Sequence, residues 1–571
     1  MSFSDIIPIM EKYKFSELQY EPTDYSKVNE KYLELEKKAL SAESLESLED
    51  VLLSYDRIVA DAEYNFTLAY IHSSLDAKDE KWQKAIVEET QGSALTDPSG
   101  LVKAILGNPF FPLLEKKYGK ALSIKLNKRL QTEGKAQSQR AKEGELVSSS
   151  QRIKAMVRAT YNGTLMSEGG FYPLFSDPDR KVRIQSRKAI FNAFLEKKEE
   201  LGRLLETLVA LRDSIAKENG FENYLEYMDF CYCRFGYGEK ELDRFVEEVK
   251  KYVVPLYVDI LEETRKRLAL DRMMVYDMGL MFTDGNPKPM GDSAYLTEAS
   301  RRVYNNLSPE IGEFFSGMVE TESLNVDFSP NKVAGMGFCT EMRKGMYPYV
   351  FGSLDGTAED VAVFTHEVGH AWQSWKSDQR LKLSLFREVP LDAVEIPSKT
   401  MELFTYEGAE EFFGKDGEKF RFSHFRNAIR EIINYSAIHE LNTWIYTHVG
   451  ATFDEINAKW LQIHSSFFPG LEWGELEEEE KKGASLLRNM GVYMFPRYLI
   501  SYALSEMCAM DLFFLKRRDR EGALAAYSEL CSQGGDKSYV EILAQAGLEP
   551  SYKEGRVKKV MEEARAYLEA N

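Results

Sequence analysis

The sequence predicts a mainly α-helical fold, and three observations lead to this prediction. Charged and apolar residues alternate with the three- to four-residue spacing of a helix face in segments such as Tyr32 to Lys38 and Glu239 to Leu270. The 18 prolines among 571 residues are few and cluster between these segments. Strand-like alternation is rare, and its clearest example is Arg343 to Phe351, which its aromatic residues and Pro348 predict to be a short edge strand.

The composition predicts a large folded core, because 44% of the residues are hydrophobic and 12% are aromatic. A net charge of −19 without a basic stripe excludes nucleic acid as the expected partner, since the chain would repel a phosphate backbone. The most apolar long stretch, Met490 to Leu515, contains Arg497, Glu506 and Asp511. A buried helix is therefore expected there, and no membrane partner.

The N-terminal segment up to Phe15 has no basic region and only a short apolar patch, so we expect no signal peptide and a cytoplasmic location. A domain boundary is expected around Ser176 to Arg180, where the sequence SDPDR follows a segment that contains two glycines. This boundary divides the chain into an N-terminal helical lobe, residues 1–180, and a larger part, residues 181–571, that holds the chemical signals described next. The sequence makes no prediction about oligomeric state.

One motif carries recognisable metal chemistry, in the segment VAVFTHEVGHAWQSW. Thr357 and Asp360 form a capping-box pattern, which predicts that a helix begins there and runs through the motif. On that helix His366 and His370 lie one turn apart on the same face, the spacing with which two imidazoles bind one zinc ion, and Glu367 lies beside them. Random shuffling produces this pattern on the order of 0.01 times per chain. The alternative is a pair of core histidines bonded to backbone or side-chain acceptors.

A catalytic zinc site needs at least a third protein ligand and one open position. A second helix is expected from Ile396 onward, with Pro397 in its first turn. Glu395 at its start suits a ligand, and Glu402, two turns further on the same face, suits an acceptor for an imidazole N–H. Spacing alone leaves the ligand open among four acidic residues, which are Glu388, Asp392, Glu395 and Glu402.

The longer pattern is similar to that of a known family. HEVGHAWQ, followed by EIPSKTME with its first Glu 29 residues after His366, resembles the thimet-oligopeptidase-like zinc metallopeptidases, in particular the oligoendopeptidase F and Pz-peptidase branch. The segments GFCTEMRKGMYPYVFGSLDGT and PRYLISYALSEMCA agree with it. The resemblance implies two helical lobes around a deep central channel that admits oligopeptides, with a small β-sheet near the zinc helix.

The resemblance also implies the roles of the residues at the metal. His366, His370 and Glu395 correspond to the ligands of one Zn²⁺ per chain. Glu367 corresponds to the general base that takes a proton from water. The implied reaction is the hydrolysis of short peptides.

Further roles concern the substrate. Tyr502 corresponds to a tyrosine that donates a hydrogen bond to the oxyanion, and Tyr498 is a second candidate. Lys344 to Gly352 resembles the strand edge that pairs with bound peptide. The residues expected to contact the peptide there are Gly345, Met346, Tyr347, Pro348 and Tyr349.

Two positions depart from the pattern of this branch. Gly491 stands where a histidine is normal, and Leu499 stands where the second tyrosine of a Pro-x-Tyr-Tyr stretch is normal. Each replacement removes a hydrogen-bond donor, and the loss of one such donor costs about 10²- to 10³-fold in rate. The resemblance as a whole still predicts a zinc-dependent oligoendopeptidase. The alternatives are a zinc-holding, peptide-binding protein with weakened hydrolysis and a helical scaffold without metal.

Overall fold

The computed structural model describes residues 13–133, 136–333, 337–354 and 356–570. The N-terminal residues on which most of the signal-peptide expectation rests lie outside these ranges. Within them the fold is mainly helical, as predicted. None of the described helices combines the length and the apolar character needed to cross a bilayer.

The helices and strands follow one another along the chain with short connections. Those before the first hairpin are α1 (Tyr25–Leu40), α2 (Leu45–Leu75), α3 (Glu80–Ala94), α4 (Ser99–Gly107), α5 (Phe111–Tyr118), α6 (Ala121–Glu133) and α7 (Gln137–Met156). The hairpin and the helices after it are β1 (Arg158–Tyr161), β2 (Thr164–Ser167), α8 (Glu168–Phe171), α9 (Arg180–Leu195), α10 (Lys198–Glu218), α11 (Tyr224–Cys231), α12 (Glu239–Glu248), α13 (Val254–Arg267), α14 (Ser293–Leu307) and α15 (Pro309–Glu320).

A small sheet separates these elements from a second helical series. The sheet consists of β3 (Leu324–Asn325), β4 (Gly337–Thr340) and β5 (Tyr349–Gly352). The helices that follow are α16 (Ala358–Arg380), α17 (Leu391–Phe404), α18 (Ala409–Phe413), α19 (Gly417–Thr447), α20 (Phe453–Phe467), α21 (Glu477–Lys481), α22 (Ala484–Arg488), α23 (Met490–Tyr493), α24 (Ile500–Arg518), α25 (Arg520–Ser532), α26 (Tyr539–Gln545) and α27 (Arg556–Ala570).

The chain forms two compact units, and each is assembled from three separate segments. Unit 1 consists of Met1–Gly134, Lys288–Glu418 and Cys508–Glu549. Unit 2 consists of Lys135–Pro287, Lys419–Met507 and Pro550–Asn571. The boundary expected between residues 180 and 181 does not coincide with a change of unit, so the limits of a catalytic domain and the channel stay predictions.

The small sheet of unit 1 has the order β3-β5-β4. β5 pairs in parallel with β3 and antiparallel with β4, with Thr340 opposite Tyr349. The prediction of an edge strand over Arg343 to Phe351 is therefore wrong, because the strand begins only at Tyr349 and is central. Its aromatic and β-branched residues reflect burial on both faces, since all four residues of β5 are buried. β3 and β4 are the two edge strands, and the side of β4 that faces away from β5, its free edge, has no strand partner among the described residues.

An apolar cluster fixes the sheet against the second helix of the chain. Tyr349 and Phe351 of β5 share this cluster with Leu68 and Ile71 of α2. The ring of Phe338 in β4 stacks on that of Phe351 at 4.8 Å. Burial of such side chains stabilises the fold by about 1.5–3 kcal/mol each, so β4 is held in place beside α16.

Candidate metal centre

The predicted cap begins the helix that carries the two histidines. The Thr357 hydroxyl accepts the N–H of Asp360 at 3.2 Å, and the Asp360 carboxylate accepts the N–H of Thr357 at 2.7 Å. The backbone N–H groups of Thr357 and Asp360, which have no acceptor within the helix, thereby each find a partner. α16 continues through His366 and His370, whose rings meet edge to face with centroids 4.7 Å apart.

The second helix of the site begins earlier than predicted. α17 starts at Leu391, five residues before Ile396, and Pro397 lies inside it. A proline inside a helix removes one N–H donor. The carbonyl of Pro397 accepts a hydrogen bond from the Tyr527 hydroxyl at 2.9 Å. Because α17 begins at Leu391, Glu395 lies inside this helix and not at its start. Only 5% of Glu395 is exposed.

Gly369 allows the two helices to touch through their backbones. A Cβ atom at this position would lie 2.6 Å from the Cα of Ser398 and 2.8 Å from the carbonyl oxygen of Pro397. Real Cβ atoms do not approach backbone this closely, and backbone cannot rotate away as a side chain can. The glycine between the two histidines therefore brings α17 close enough for Glu395 to reach them.

We expect Gly369→Ala to weaken metal binding. The added methyl must push α17 away from α16 and move the Glu395 carboxylate off its position, which we expect to lower zinc affinity at least about 10-fold. Competition with a fluorescent zinc chelator measures this change. Gly107→Ala in α4 is the control, because its Cβ has no neighbour within 4 Å. Parental affinity in Gly369→Ala would show that the approach of α17 does not depend on this glycine.

Three potential ligand atoms converge between α16 and α17. The Nε2 atoms of His366 and His370 are 3.1 Å apart, and Oε2 of Glu395 lies 3.2 Å from the first and 3.1 Å from the second. Tetrahedral zinc with bonds of about 2.0–2.1 Å separates its ligands by about 3.3 Å. The triangle therefore has about the size of one face of a zinc tetrahedron, and the three side chains fit one zinc ion.

Neighbouring groups orient two of these ligands. His366 Nδ1 lies 2.6 Å from Oε1 of Glu402, so the proton of the ring is assigned to Nδ1 and the lone pair to Nε2. The Ser398 hydroxyl donates to Oε2 of Glu395 at 3.0 Å. Lys399 Nζ lies 3.3 Å from Oε1 of Glu402. Ser398 and Lys399 were not anticipated from the sequence, although both lie in the segment between the two glutamates.

The electrostatics of the cluster favour a bound cation. Burial lowers the pKa of His366, but hydrogen bonds to Glu395 and Glu402 outweigh this and raise it to about 10. Burial opposes the charge of Glu395, yet the two imidazoles hold its pKa well below the usual range. The raised pKa of His366 and the lowered pKa of Glu395 both indicate that the cluster stabilises positive charge beside an ionised carboxylate.

Glu367 lies between the metal triangle and the sheet. Its carboxylate accepts a hydrogen bond from the backbone of Cys339 in β4, and burial raises its pKa against the effect of the two histidines. Gly337 of β4 also lies near this carboxylate, since a Cβ atom built at Gly337 would lie 3.8 Å from Oε1 of Glu367. The predicted base therefore faces the free edge of the sheet.

The other acidic candidates have different partners. Glu388 is paired with Lys125 and Lys128, at 2.9 and 2.7 Å. Asp392 belongs to no metal-type cluster among the residues that the structure describes. Glu402 contacts the outer nitrogen of His366, as expected of an acceptor for an imidazole N–H. Glu395 is thus the carboxylate that the structure brings to both histidines.

A second group with metal-ligand chemistry occurs in unit 2. Glu239, Asp243 and His439 place one ligand atom each within 4.8 Å of one another. Glu239 is already neutralised, because Arg497 Nη1 lies 2.6 Å from its Oε2 and the Thr443 hydroxyl donates to its Oε1 at 2.7 Å. A guanidinium in contact with a ligand disfavours a cation there.

The predicted peptide-binding residues have partners inside unit 1. The N–H of Gly345 donates to Asp378, and the N–H of Tyr347 donates to the Tyr13 hydroxyl at 2.7 Å. Tyr349 is buried in central β5 and Met346 in the cluster below it, with Pro348 between them. Of these five residues only Tyr349 belongs to β5, where it pairs with Thr340 of β4. The contact of residues 345–349 with a peptide stays a prediction.

The predicted oxyanion donors lie in unit 2. The ring of Tyr502 is 5.7 Å from the rings of Tyr498 and Tyr435. Just before them, Arg497 has a left-handed backbone with φ 64° and a buried guanidinium 2.7 Å from Asp229. A non-glycine residue adopts this conformation only where its surroundings hold it, so the ion pair fixes the chain that carries both tyrosines. Their role stays a prediction.

Gly491 and Leu499, the two departures from the family pattern, are neighbours. A Cβ at position 491 would lie 2.5 Å from Cδ1 of Leu499 and 2.9 Å from Cγ2 of Ile438. Leucine and isoleucine thus fill the space next to Gly491 with apolar atoms. The two replacements are coupled by packing, and neither restores a hydrogen-bond donor.

We expect Gly491→His alone to destabilise unit 2. Overpacking costs about 1–3 kcal/mol, which corresponds to about 2–4 °C in the unfolding temperature per kcal/mol for a unit of this size. Calorimetry of Gly491→His, Leu499→Ala and the double variant measures the coupling. The double variant is expected to be more stable than the sum of the single effects predicts. Additive effects would contradict the packing relation.

Comparison with known proteins agrees with this arrangement. A model described as the peptidase M3 N-terminal domain matches residues 15–132, and one described as peptidase family M3 matches residues 319–562. Comparison with curated proteins gives no significant match.

Solved structures match the chain over almost its whole length. Pz peptidase A with an inhibitor is 27% identical with a TM-score of 0.87, covering 98% of this chain and 99% of that one. An oligoendopeptidase F described as putative is 29% identical with the same TM-score and the same coverage. Another such protein, from Bacillus anthracis, is 26% identical with a TM-score of 0.83, again covering 98% and 99%.

Proposed function

Because the chain belongs to peptidase family M3, we propose that it is a zinc-dependent oligoendopeptidase that hydrolyses short peptides. One observation carries the proposal: three ligand atoms lie 3.1–3.2 Å apart beside the carboxylate of Glu367. His366 and His370 would hold the metal through Nε2, and Glu395 through Oε2. When bound there, zinc polarises the scissile carbonyl and makes water more acidic.

The residues around the metal are proposed to have separate roles in the reaction. Glu367 takes a proton from the attacking water on a carboxylate oxygen and passes it to the nitrogen of the leaving amine as the C–N bond breaks. Glu402 and Ser398 keep His366 and Glu395 in position during this transfer. The resemblance alone makes Tyr502, with Tyr498, the candidate donor of a hydrogen bond to the carbonyl oxygen.

The substrate is proposed to pair with the free edge of β4, in addition to the contacts predicted at residues 345–349. A peptide added to this edge lies next to Glu367, whose carboxylate is already bonded to the backbone of Cys339. Main-chain hydrogen bonds to a strand edge bind extended peptides largely without regard to their side chains. Such binding suits an enzyme that acts on many short peptides.

A second candidate is a peptide-binding protein with weakened hydrolysis. The observation that favours it is the apolar contact of Gly491 with Leu499 and Ile438, where the family pattern has hydrogen-bond donors. Zinc and Glu367 alone would then act slowly. The third alternative, a scaffold without metal, predicts no zinc uptake at all.

A pool of quenched fluorescent oligopeptides tests the proposal. We expect cleavage that stops when a zinc chelator is added and returns when zinc is restored. Peptide binding without such cleavage would favour the second candidate. Less than about a tenth of an equivalent of zinc after zinc supply would favour the scaffold.

A further inference from the structure

The end of β4 forms one wall of a cavity in unit 1. The cavity has a volume of about 540 Å³, and its opposite walls come from α1 and α2. Residues 339–342 line it, so β4 ends at the wall of this space. A volume in this range, about 300–1,000 Å³, is typical of ligand-binding pockets. We call it the β4 cavity.

The β4 cavity adjoins the proposed catalytic base. The backbone of Cys339 donates to Glu367, and Cys339 also lines the cavity. The thiol of Cys339 is half-buried, and its pKa is raised by desolvation and by the charges of both Glu367 and Glu341. Glu341 follows Cys339 by two positions in the chain. A peptide paired with β4 therefore passes from Glu367, next to Cys339, to Glu341.

Two carboxylates of the β4 cavity each have one arginine of the cavity wall at the long end of the ion-pair range. Oε2 of Glu341 is 3.5 Å from Arg387 Nε, and its Oε1 accepts a hydrogen bond from Ser374 at 3.3 Å. Glu63 is 4.0 Å from Arg129. Both acids are open to the cavity, with 34% of the Glu341 side chain and 58% of the Glu63 side chain exposed.

The arginine nearest to Glu341 is bound by other groups. Arg387 contacts Oδ1 of Asp378 through Nε and Nη2 at 3.0 and 2.8 Å, and Nη1 donates to the carbonyl of Met342 at 3.0 Å. Its charge is thus largely neutralised by Asp378.

The local charge balance favours a positive ligand. Burial, with the neighbouring charges of Asp378 and Glu63, raises the pKa of Glu341 to about 7 against the effect of Arg387. A cation beside this carboxylate would stabilise its ionised form.

We propose that the β4 cavity is a subsite for a positively charged group of the peptide substrate, held by Glu341 and Glu63. The inference rests on the proposed peptidase function and adds a substrate preference to it. The group is either a lysine or arginine side chain or the free α-amino terminus, which share the same chemistry. If the peptide pairs antiparallel with β4, the subsite lies on the N-terminal side of the scissile bond.

Matched peptides test the preference on the zinc-loaded enzyme. One series carries lysine, norleucine or glutamate at each position N-terminal to the cleavage site, with the N-terminus free or acetylated. We expect at least one positive charge to raise kcat/KM about 10-fold over its neutral counterpart. Loss of the preference on acetylation identifies the α-amino group, and loss on lysine-to-norleucine exchange identifies the side chain. Equal rates for all peptides would overturn the proposal.

Variants assign the preference to the two carboxylates. Glu341→Gln is expected to reduce the ratio of charged to neutral kcat/KM to about 2 or less. Glu63→Lys, at an exposed position that tolerates substitution in the fold, is expected to reverse the ratio in favour of glutamate peptides. Glu310→Gln is the control, because Glu310 pairs with Lys376 on the surface of the same unit. An unchanged ratio in both cavity variants would contradict the assignment.

A binding measurement separates this inference from the proposed function. If no peptide is cleaved, the proposed function fails. Fluorescence anisotropy of the same labelled peptides then still tests the β4 cavity. Tighter binding of the charged peptide, lost in Glu341→Gln and Glu63→Lys, supports the subsite without catalysis. Equal binding of charged and neutral peptides overturns it.

Discussion

Glu367→Gln is expected to reduce kcat by at least about 10³-fold and to leave zinc at one equivalent per chain. The amide has nearly the same shape as the carboxylate but cannot accept a proton from water, and general-base catalysis contributes about 10²- to 10⁴-fold to such reactions. Glu367 is not part of the ligand triangle, so the metal should remain bound. Steady-state cleavage of a fluorescent peptide and elemental analysis of the same sample measure the two effects.

A second glutamate of the same helix provides the control. Glu359 lies in the first turn of α16 and is exposed. Glu359→Gln is expected to keep kcat within about twofold, since the charge lies in solvent. Parental turnover by Glu367→Gln would mean that another group takes the proton. Loss of zinc together with activity would mean that Glu367 acts mainly on the metal site.

Glu395→Ala is expected to abolish zinc retention and, with it, hydrolysis. Two imidazoles remain after this change, and the charge that matches the cation is lost. We expect the zinc content to fall from about one equivalent to less than a tenth after dialysis. Elemental analysis and isothermal titration with zinc measure the loss.

Glu388→Gln separates Glu395 from the other acids of its segment. Glu388 was an equally good ligand on spacing, but it contacts Lys125 and Lys128. Its replacement should keep zinc and affect only stability, because the backbone carbonyl of Glu388 still accepts from Lys125 at 2.6 Å. The reverse result, zinc lost in Glu388→Gln and kept in Glu395→Ala, would reassign the third ligand.

Local sequence signals predicted the first half of the site well. The Thr357 cap and the spacing of His366 and His370 depend on contacts within a few residues, which helix geometry determines. The ligand choice among the later acids depends instead on where α17 crosses α16. That crossing follows from the fit of Gly369 against the backbone at Pro397 and Ser398, which no periodicity reveals.

The sheet was misread for a similar reason. Tyr349 to Gly352 has the composition of a strand, and the sequence predicted one. Whether a strand is central or at an edge depends on its neighbours, and here β3 and β4 come from segments at least nine residues earlier in the chain. Pro348 suggested an edge, but a proline just before a strand removes no ladder hydrogen bond from a central one.

The discontinuous units were also beyond sequence reasoning. The composition change near residue 180 does not coincide with a change of compact unit. Helices from the start of the chain join segments about three hundred residues later, as Leu381 and Phe386 do when they pack in the α1–α2 core. Such long-range contacts leave no local pattern.

X-ray diffraction at the zinc absorption edge tests the central claim most directly. For crystals grown with one equivalent of zinc, we expect a single strong anomalous peak bonded to Nε2 of His366, Nε2 of His370 and a carboxylate oxygen of Glu395, at about 2.0–2.2 Å. A peak at Glu239, Asp243 and His439 with none between α16 and α17 would contradict the proposed metal centre.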